Sequence, residues 1–288
     1  METYKQADLA DSTVIKVVSW NVNAARKRAK RQADWLASTD ADVFLLQEAT
    51  IHHLEALSEL MDLRAKKVAG PPKNPRQRPV AVMSRLPTTG TWLGLSEVAM
   101  PHIAIGATVL VGNQPLNVWS YHAPNGSNYN MEKVRHAHAM VDQLRATSRP
   151  TVLGGDFNTP RLDPVDETHI RTHWHTGKRG LNGMRGDDVL CGPPDARGHA
   201  LQDALRVQLA SRGPTSPELC PPEGPLAVSY RTRRRDGAHN QWRFDAIWVG
   251  RTLEVLDVSY ETDSTLNSGL SDHAAVTVTL AVPPPLVG

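Results

Sequence analysis

Short runs rich in valine, isoleucine and leucine recur along the chain, and most are bounded by Gly, Pro, Asn or Asp. Such runs are typical of β-strands. Several are almost continuously apolar, as expected for strands that are covered on both faces. This pattern constrains the fold more than any other feature, because such strands need a second sheet or helices on each side. The runs are VIKVVSW, DVFLLQ, PVAVMS, IAIGATVLV, LNVWSYH, TVLGG, FDAIWVG, LEVLDVSY and AAVTVTL.

Amphipathic helical patterns lie between some of these runs. Apolar residues at three- and four-residue steps predict helices over 131–146 and 52–63, and a basic helix or turn over 26–37. Strands outnumber helices, and their short connections favour antiparallel pairing. The chain is therefore predicted to have an α/β fold, in which two mixed or antiparallel β-sheets pack together and are flanked by helices.

The chain has 288 residues, a length that fits one large domain or two small ones. We interpret residues 1–288 as a single domain, because neither an internal repeat nor a low-complexity linker divides it. The stretch around 161–225 differs from the rest, with many Gly, Pro, Asp, Arg and His residues and one clear helix, LQDALRVQLA. It is predicted to be a long loop-rich insertion of the kind that often carries substrate contacts.

Several protein classes are disfavoured. Cys191 and Cys220 lie far apart and outside any CxxC pattern, which argues against a disulfide framework or a zinc pair. No apolar run approaches the ~18 residues of a membrane span, and the polar start METYKQADLADS lacks a signal-peptide core. We therefore expect a cytoplasmic protein with no membrane association, and no feature indicates an obligate protein partner.

The most informative polar residues follow or open the predicted strands. Taken singly, each has an ordinary explanation as a helix cap, a turn residue or a solvated strand end. Together they place carboxylates, amides and two imidazoles where a two-sheet scaffold can bring strand ends to one rim. This mixture suits a hard cation such as Mg²⁺ or Mn²⁺ and does not suit a structural zinc site. The residues are Asn21, Asn23, Glu48, His122, Asp156, Asn158, Asp245, Asp272 and His273.

The same residues carry a resemblance to the endonuclease/exonuclease/phosphatase superfamily, which includes enzymes of the exonuclease III and DNase I types. The motifs occur in the family's order along the whole chain: SWNVNAAR, LLQEAT, SYHAPNG, GGDFNTP, WRFDAIWV and LSDHAAV. The resemblance implies a four-layered α/β sandwich. One departure is His122, which stands where DNA-repair members usually have a tyrosine, and it weakens an assignment to abasic-site repair.

The resemblance also implies a role for each residue. Glu48, helped by Asn21 and Asp272, would bind Mg²⁺ or Mn²⁺. Asp156 would orient or deprotonate the attacking water. The predicted catalytic residues are His122, Asp156, Asn158, Asp245 and His273; the predicted metal ligands are Asn21, Glu48 and Asp272; and the predicted phosphate contacts are Asn23, His122 and Asn158.

In this interpretation Asp245 holds His273 as a histidine–carboxylate pair. Gly154 and Gly155 are expected to let the chain turn tightly before Asp156.

The predicted activity is a divalent-metal-dependent phosphodiesterase, first of all a nuclease acting on DNA or RNA. The net charge of +2 is too small to argue for nucleic acid by itself, but basic clusters at 26–31, 73–78 and 231–235 are expected in loops beside the motifs. Trp174 and Trp242 are candidates for stacking on bases. The alternatives are hydrolysis of a small phosphorylated metabolite or lipid headgroup at the same site, and an inactive binding module.

The histidines outside these motifs are not predicted to take part in catalysis. His52 and His53 are expected to be solvated helix residues, and His173 with His175 is a weak candidate for a second metal site.

Overall fold

Two six-stranded sheets packed face to face form the centre of the computed structural model, which describes residues 12–70, 78–95, 98–129, 131–172, 187–212 and 225–285. The strands are β1 (Thr13–Asn21), β2 (Val43–Gln47), β3 (Ala65–Val68), β4 (Ala81–Ser84), β5 (Thr88–Leu93), β6 (Ala104–Val111), β7 (Gln114–His122), β8 (Thr151–Asp156), β9 (Gln202–Asp203), β10 (Tyr230–Arg233), β11 (His239–Trp242), β12 (Asp245–Val249), β13 (Glu254–Tyr260) and β14 (Val276–Val282). The helices are α1 (Ala29–Ser38), α2 (Ile51–Leu60), α3 (Gly126–Tyr129), α4 (Met131–Arg145), α5 (Asp188–Cys191) and α6 (Ala204–Ser211).

The strand order is β13-β14-β1-β2-β4-β3 in the first sheet and β5-β6-β7-β8-β12-β9 in the second. Strands β10 and β11 form a separate two-stranded hairpin. Most pairs are antiparallel, but β1 pairs with β2 and β7 with β8 in parallel. These two parallel pairs are the ones joined through α1 and α4, because a parallel connection needs a crossover.

Alternate residues of the central strands are buried in different layers. Val17 of β1 belongs to the cluster between the sheets, whereas its neighbour Val18 packs with Leu36 of α1 and Leu57 of α2. On the other side, the second sheet packs Leu153 against Met140 of α4. This helix–sheet–sheet–helix arrangement confirms the predicted α/β sandwich and explains why the strands are apolar on both faces.

The two glycines before Asp156 were expected to form a tight turn, and this expectation is wrong. Gly154 and Gly155 lie inside β8. A Cβ on Gly154 would come 2.8 Å from Leu45 Cδ1 of the facing sheet, and one on Gly155 would collide with the carbonyl oxygen of Tyr121. Glycine is therefore needed here because the facing sheet approaches Gly154 and the neighbouring strand β7 approaches Gly155, not for a turn.

The loop-rich stretch contains more regular structure than its composition predicts. The segment LQDALRVQLA forms both the short strand β9 and helix α6. Arg243 ties this stretch to the second sheet through buried ion pairs with Asp163 and Asp203. The rest of the expectation for 161–225 falls partly on residues 173–186 and 213–224, outside the described residues. In the part of the chain that is described, no helix is both long and apolar enough to cross a membrane.

Buried histidines make the fold sensitive to acid. His136 on α4 is completely buried, and neither of its ring nitrogens has a hydrogen-bond partner among the described residues. Burial lowers the pKa of His136 to about 4, with a further contribution from His102 and an opposing one from Glu132. The folded state therefore favours the neutral ring, so this stability is present above pH 6.5 and is lost as the pH falls towards 4.

We expect the free energy of unfolding to decrease by about 2 kcal/mol through His136 alone between pH 7.5 and pH 5. Urea unfolding of the wild type and a His136→Met variant at both pH values measures this change. The variant should lose less stability than the wild type by that amount. Equal losses in the two proteins would contradict a neutral, buried His136.

Candidate active site

The register of three neighbouring strands brings three predicted site residues to one rim of the second sheet. His122 ends β7 opposite Asp156, which ends β8, and Asp156 in turn pairs with Asp245 at the start of the antiparallel β12. In the first sheet, Asn21 ends β1 opposite Gln47, which precedes Glu48. Because both parallel pairs end at the same rim, the strand ends converge on one site.

Asp156 is the centre of this site and is 2% exposed. One carboxylate oxygen accepts a hydrogen bond from Asn21 Nδ2 at 3.0 Å, and the other accepts one from the Asn158 backbone N–H at 3.0 Å. The Nε2 atoms of His122 and His273 lie 3.5 and 3.7 Å from Asp156 Oδ2. The carboxylate is thus oriented from both sheets and faces two imidazoles.

His273 and Asp245 form a buried pair, in which His273 Nδ1 lies 2.8 Å from Asp245 Oδ2. Burial lowers the pKa of His273, but the charges of Asp245 and Asp156 outweigh it and raise the pKa to about 10. Burial raises the pKa of Asp245, and the imidazolium opposes that rise. His273 is therefore a cation at neutral pH, with its Nε2–H on the side of Asp156. Tyr230 stacks on the ring at 4.5 Å between centroids.

The predicted metal ligands Asn21, Glu48 and Asp272 line the same cavity as Asp156. Their donors are carboxylate and amide oxygens, which fit Mg²⁺ or Mn²⁺. Glu48 has a positive φ of 53°, an uncommon backbone conformation for this residue type that is often associated with functional sites. Its carboxylate pairs with Arg78, which also donates to Asn23 Oδ1 at 3.0 Å.

A second group of potential ligand atoms lies deeper in the site. One atom each from Asp156, Asp245 and His273 can be chosen so that all three lie within 4.8 Å of one another. The Nδ1 atom of the His273 ring is occupied by Asp245, whose Oδ2 lies 2.8 Å away. The cavity therefore has two groups of potential ligands, this one and the group of Asn21, Glu48 and Asp272.

The cavity has a volume of about 370 Å³. Its floor is polar, and sequence reasoning missed a second wall that includes Met100, His102, Ile103, Pro124 and Tyr129. Antiparallel pairing offered a signal for part of this wall: Ala104 at the start of β6 pairs with Tyr121 near the end of β7, so the residues before Ala104 must lie beside His122.

Two predicted phosphate contacts are used differently from the expectation. The Asn158 side chain donates to the carbonyl oxygen of Ala123 at 2.9 Å, which fixes the turn after β8. Asn23 donates its backbone N–H to Asn21 Oδ1 at 3.0 Å and does not line the cavity. The phosphate roles of these two residues remain predictions; Asn158 and His122 line the cavity, and Asn23 does not.

Lys133 is a buried residue beneath the site that the sequence did not reveal. Its Nζ atom donates to the carbonyl oxygens of Phe157 and Asn158 at 3.0 and 2.9 Å and lies 3.2 Å from Asp187 Oδ2. The Asn158 backbone has a positive φ of 51°. The ammonium group therefore stabilises the conformation that follows Asp156.

An aromatic stack extends from His273 towards the hairpin. Tyr230 stacks on Phe244 at 5.6 Å and Phe244 on Trp242 at 5.5 Å, and the Arg161 guanidinium lies 5.4 Å from the Trp242 ring. Trp242 was a candidate for stacking on bases; in the structure its ring stacks on Phe244.

The basic clusters differ in structure. Cluster 26–31 forms a helical turn and the start of α1, not a loop, and cluster 231–235 lies in the hairpin. In the second cluster, Arg78 lines the cavity, while Lys73 and Arg76 lie outside the described residues. Trp174 and the candidate second metal site at His173 and His175 also lie outside them.

The expectation for His53 is wrong. His53 is only 2% exposed, and its imidazole contacts Gln32 and Thr50. The hydrophobic periodicity of α2 gave a wrong prediction because it assigns polar residues to the solvent-exposed face. The His53 imidazole instead packs between α1 and α2.

Comparison with known proteins places the chain among hydrolases of phosphoric esters. The model of the Endonuclease/Exonuclease/phosphatase family matches residues 18–273. The chain belongs to this family, whose members use divalent metal ions. No curated protein matches it significantly.

Solved structures share the fold. A humanized D. rerio TDP2 superposes with a TM-score of 0.63 at 17% identity, over 93% of this chain and 98% of the other. A truncated Caenorhabditis elegans TDP2 gives 0.61 at 16% identity, with the same coverage. The endonuclease/exonuclease/phosphatase from Beutenbergia cavernae DSM 12333 gives 0.58 at 18% identity, over 96% and 73%.

Proposed function

We propose that this protein is a Mg²⁺- or Mn²⁺-dependent phosphodiesterase that hydrolyses nucleic acid. The observation that carries the proposal is the position of Asp156. Its carboxylate is oriented by Asn21 on the side of the candidate metal ligands and lies within 3.7 Å of His122 and His273 at one cavity. A base, two hydrogen-bond donors and oxygen ligands around one cavity are what phosphoryl transfer to water requires.

Each residue of the site has a distinct role in the proposed reaction. Asp156 accepts a proton from water as the water oxygen bonds to phosphorus; the P–O ester bond breaks, and the leaving oxygen takes up a proton from solvent water. The His273 imidazolium and His122 donate hydrogen bonds to the phosphoryl oxygens and stabilise the negative charge that builds up there. Asp245 keeps the Nε2–H of His273 directed at the cavity. Asn21, Glu48 and Asp272 would hold the divalent ion, which supplies Lewis-acid stabilisation of the phosphoryl charge when bound.

The hairpin supports a polymeric substrate. Tyr230 lines the cavity, and the same hairpin carries Arg231, Arg234 and Arg235. These arginines follow the cavity residue Tyr230 along the chain, which fits a phosphate backbone running outward from the cleaved bond; a bound phosphate would compete with Asp236 for Arg234. A similar structure, D. rerio TDP2, has been determined with single strand DNA product. The alternative substrate is a small phosphorylated metabolite or lipid headgroup, which would use the cavity without the arginines of the hairpin.

Hydrolysis assays test the activity. The purified protein is incubated with Mg²⁺, Mn²⁺ or EDTA and with single- and double-stranded DNA, an abasic-site duplex, RNA, bis-p-nitrophenyl phosphate and p-nitrophenyl phosphate. We expect metal-dependent cleavage of a polynucleotide that an Asp156→Ala variant loses. Cleavage of the small esters alone would favour a small phosphorylated metabolite or lipid headgroup as the substrate. No cleavage of any substrate would favour an inactive binding module.

Salt dependence distinguishes the two substrate classes. For nucleic acid, the logarithm of the oligonucleotide affinity should fall linearly with the logarithm of salt concentration. The slope should be smaller in an Arg234→Gln/Arg235→Gln variant. Arg251→Gln is the matched control, because Arg251 is an exposed arginine beyond the opposite end of β12 from Asp245. An equal salt-dependence slope in all three proteins would show that the hairpin arginines do not bind the substrate.

A further inference from the structure

Gln32 and His53 form a buried polar pair between α1 and α2. Gln32 is completely buried and His53 is 2% exposed. His53 Nε2 lies 3.0 Å from Gln32 Oε1. The other end of the ring, Nδ1, lies 3.1 Å from the Thr50 backbone nitrogen and 2.9 Å from Thr50 Oγ1. Nothing in the proposed chemistry uses either side chain.

The hydrogen bonds determine which groups donate. Gln32 Nε2 donates to the carbonyl oxygens of Val22 and Leu270 at 2.9 and 2.8 Å, so both of its hydrogens are engaged. Gln32 Oε1 must then accept from His53 Nε2–H, and His53 Nδ1 accepts from the Thr50 backbone N–H. This arrangement requires a neutral imidazole and satisfies every polar atom of the pair, as expected for groups that are completely buried.

The pair reaches all three segments that carry the candidate metal ligands. Val22 follows Asn21 directly, Leu270 lies two residues before Asp272, and Thr50 lies two residues after Glu48. Direct hydrogen bonds also join these segments: Ser271 Oγ donates to the Asn21 carbonyl oxygen at 2.6 Å, and the Ala24 backbone N–H donates to the Glu48 carbonyl oxygen at 3.1 Å. Gln32 and His53 add a buried chain of hydrogen bonds that reaches all three segments at once.

We propose that Gln32 and His53 are positioning residues for the divalent metal, holding the segments of Asn21, Glu48 and Asp272 at the spacing that the ion requires. This inference rests on the proposed function, because it assumes the metal site. Outer hydrogen-bond partners of metal ligands affect affinity by about 10- to 100-fold when they are removed. Gln32 and His53 bond to residues next to the candidate ligands and not to the ligand side chains, so we expect a change near the lower end of that range.

The test is the affinity of the full-length protein for Mn²⁺ alone, measured by isothermal titration calorimetry at pH 7.5. We expect Gln32→Met to raise the Kd by about 10-fold or more, and His53→Leu to raise it as well. His53→Gln should restore much of the affinity, because a carboxamide again offers one acceptor and one donor and suits the capping position after Thr50. If Gln32→Met fails to fold, the two His53 variants decide the result.

Two further variants separate the possible causes. Gln208→Met removes another buried glutamine, one that bonds to Asp257 and is not part of the site. It should lower Tm without changing the Kd, which distinguishes positioning from general destabilisation. Glu48→Gln should abolish tight Mn²⁺ binding.

The outcomes are distinguishable. Unchanged Kd values in Gln32→Met and His53→Leu, with binding lost in Glu48→Gln, would overturn the positioning role alone. Absence of wild-type binding, or full affinity in Glu48→Gln, would overturn the proposed metal site and the positioning role with it. A Kd that rises equally in Gln208→Met would assign the effect to stability and also overturn the proposal.

Discussion

An Asp156→Asn variant should lose between about 10²- and 10⁴-fold in kcat/KM on whichever diester the wild type hydrolyses, since it loses its base. Asparagine has nearly the same shape as aspartate and still accepts the hydrogen bond from the Asn158 backbone N–H. It cannot accept a proton from water, and it removes one of the negative charges that keep the His273 pKa high. The loss should therefore appear mainly in kcat.

The measurement is steady-state kinetics on the substrate that the hydrolysis assays identify, with Tm as a check of folding. Asp142→Asn is a matched control, because Asp142 is exposed on α4 and touches none of the site residues described above. The control should retain wild-type kinetics. If Asp156→Asn kept more than a tenth of the wild-type kcat while folding normally, Asp156 would not be the base.

Replacing Lys133 with methionine should cost about 3–5 kcal/mol of folding stability, because it leaves a buried carboxylate without its counter-charge. Lys133 is 1% exposed and Asp187 is 2% exposed. Neither carboxylate oxygen of Asp187 has a hydrogen-bond partner in the described part of the chain, so the ion pair with Lys133 is its main compensation. Urea unfolding of the variant measures the loss.

The double variant Lys133→Met/Asp187→Leu separates the two roles of this lysine. Removing both charges should recover most of the stability, because apolar replacement of a buried ion pair is often neutral. Activity should stay reduced by about 10-fold or more, since the carbonyl oxygens of Phe157 and Asn158 still lack their donor and the turn after Asp156 is less well held. Recovery of both properties together would mean that Lys133 acts through stability only.

The strands, the α/β class and the candidate site residues could be predicted from the sequence because their signals are local. Continuous apolar runs report burial on both faces of a strand, and the polar groups after them sit at strand ends in any such fold. The order of the motifs is also sequence information, and the family match over residues 18–273 confirms the resemblance. The ligand chemistry follows from the residue types alone.

Only the tertiary structure determined which strands are neighbours, and with them the packing contacts and the burial of polar side chains. Gly154 and Gly155 look like turn residues in the sequence, but the facing sheet approaches Gly154 and the neighbouring strand β7 approaches Gly155. His53 and Lys133 look like ordinary polar helix residues, because periodicity cannot show that a polar group is buried with its hydrogen bonds satisfied.

The distances at Asp156 arise from the pairing of β7, β8 and β12, whose residues are far apart in the chain. Local sequence determines the chemical groups that a residue offers, whereas the pairing of distant strands determines which other residues it contacts. That is why candidate site residues could be predicted from the sequence, whereas the contacts that support them could not.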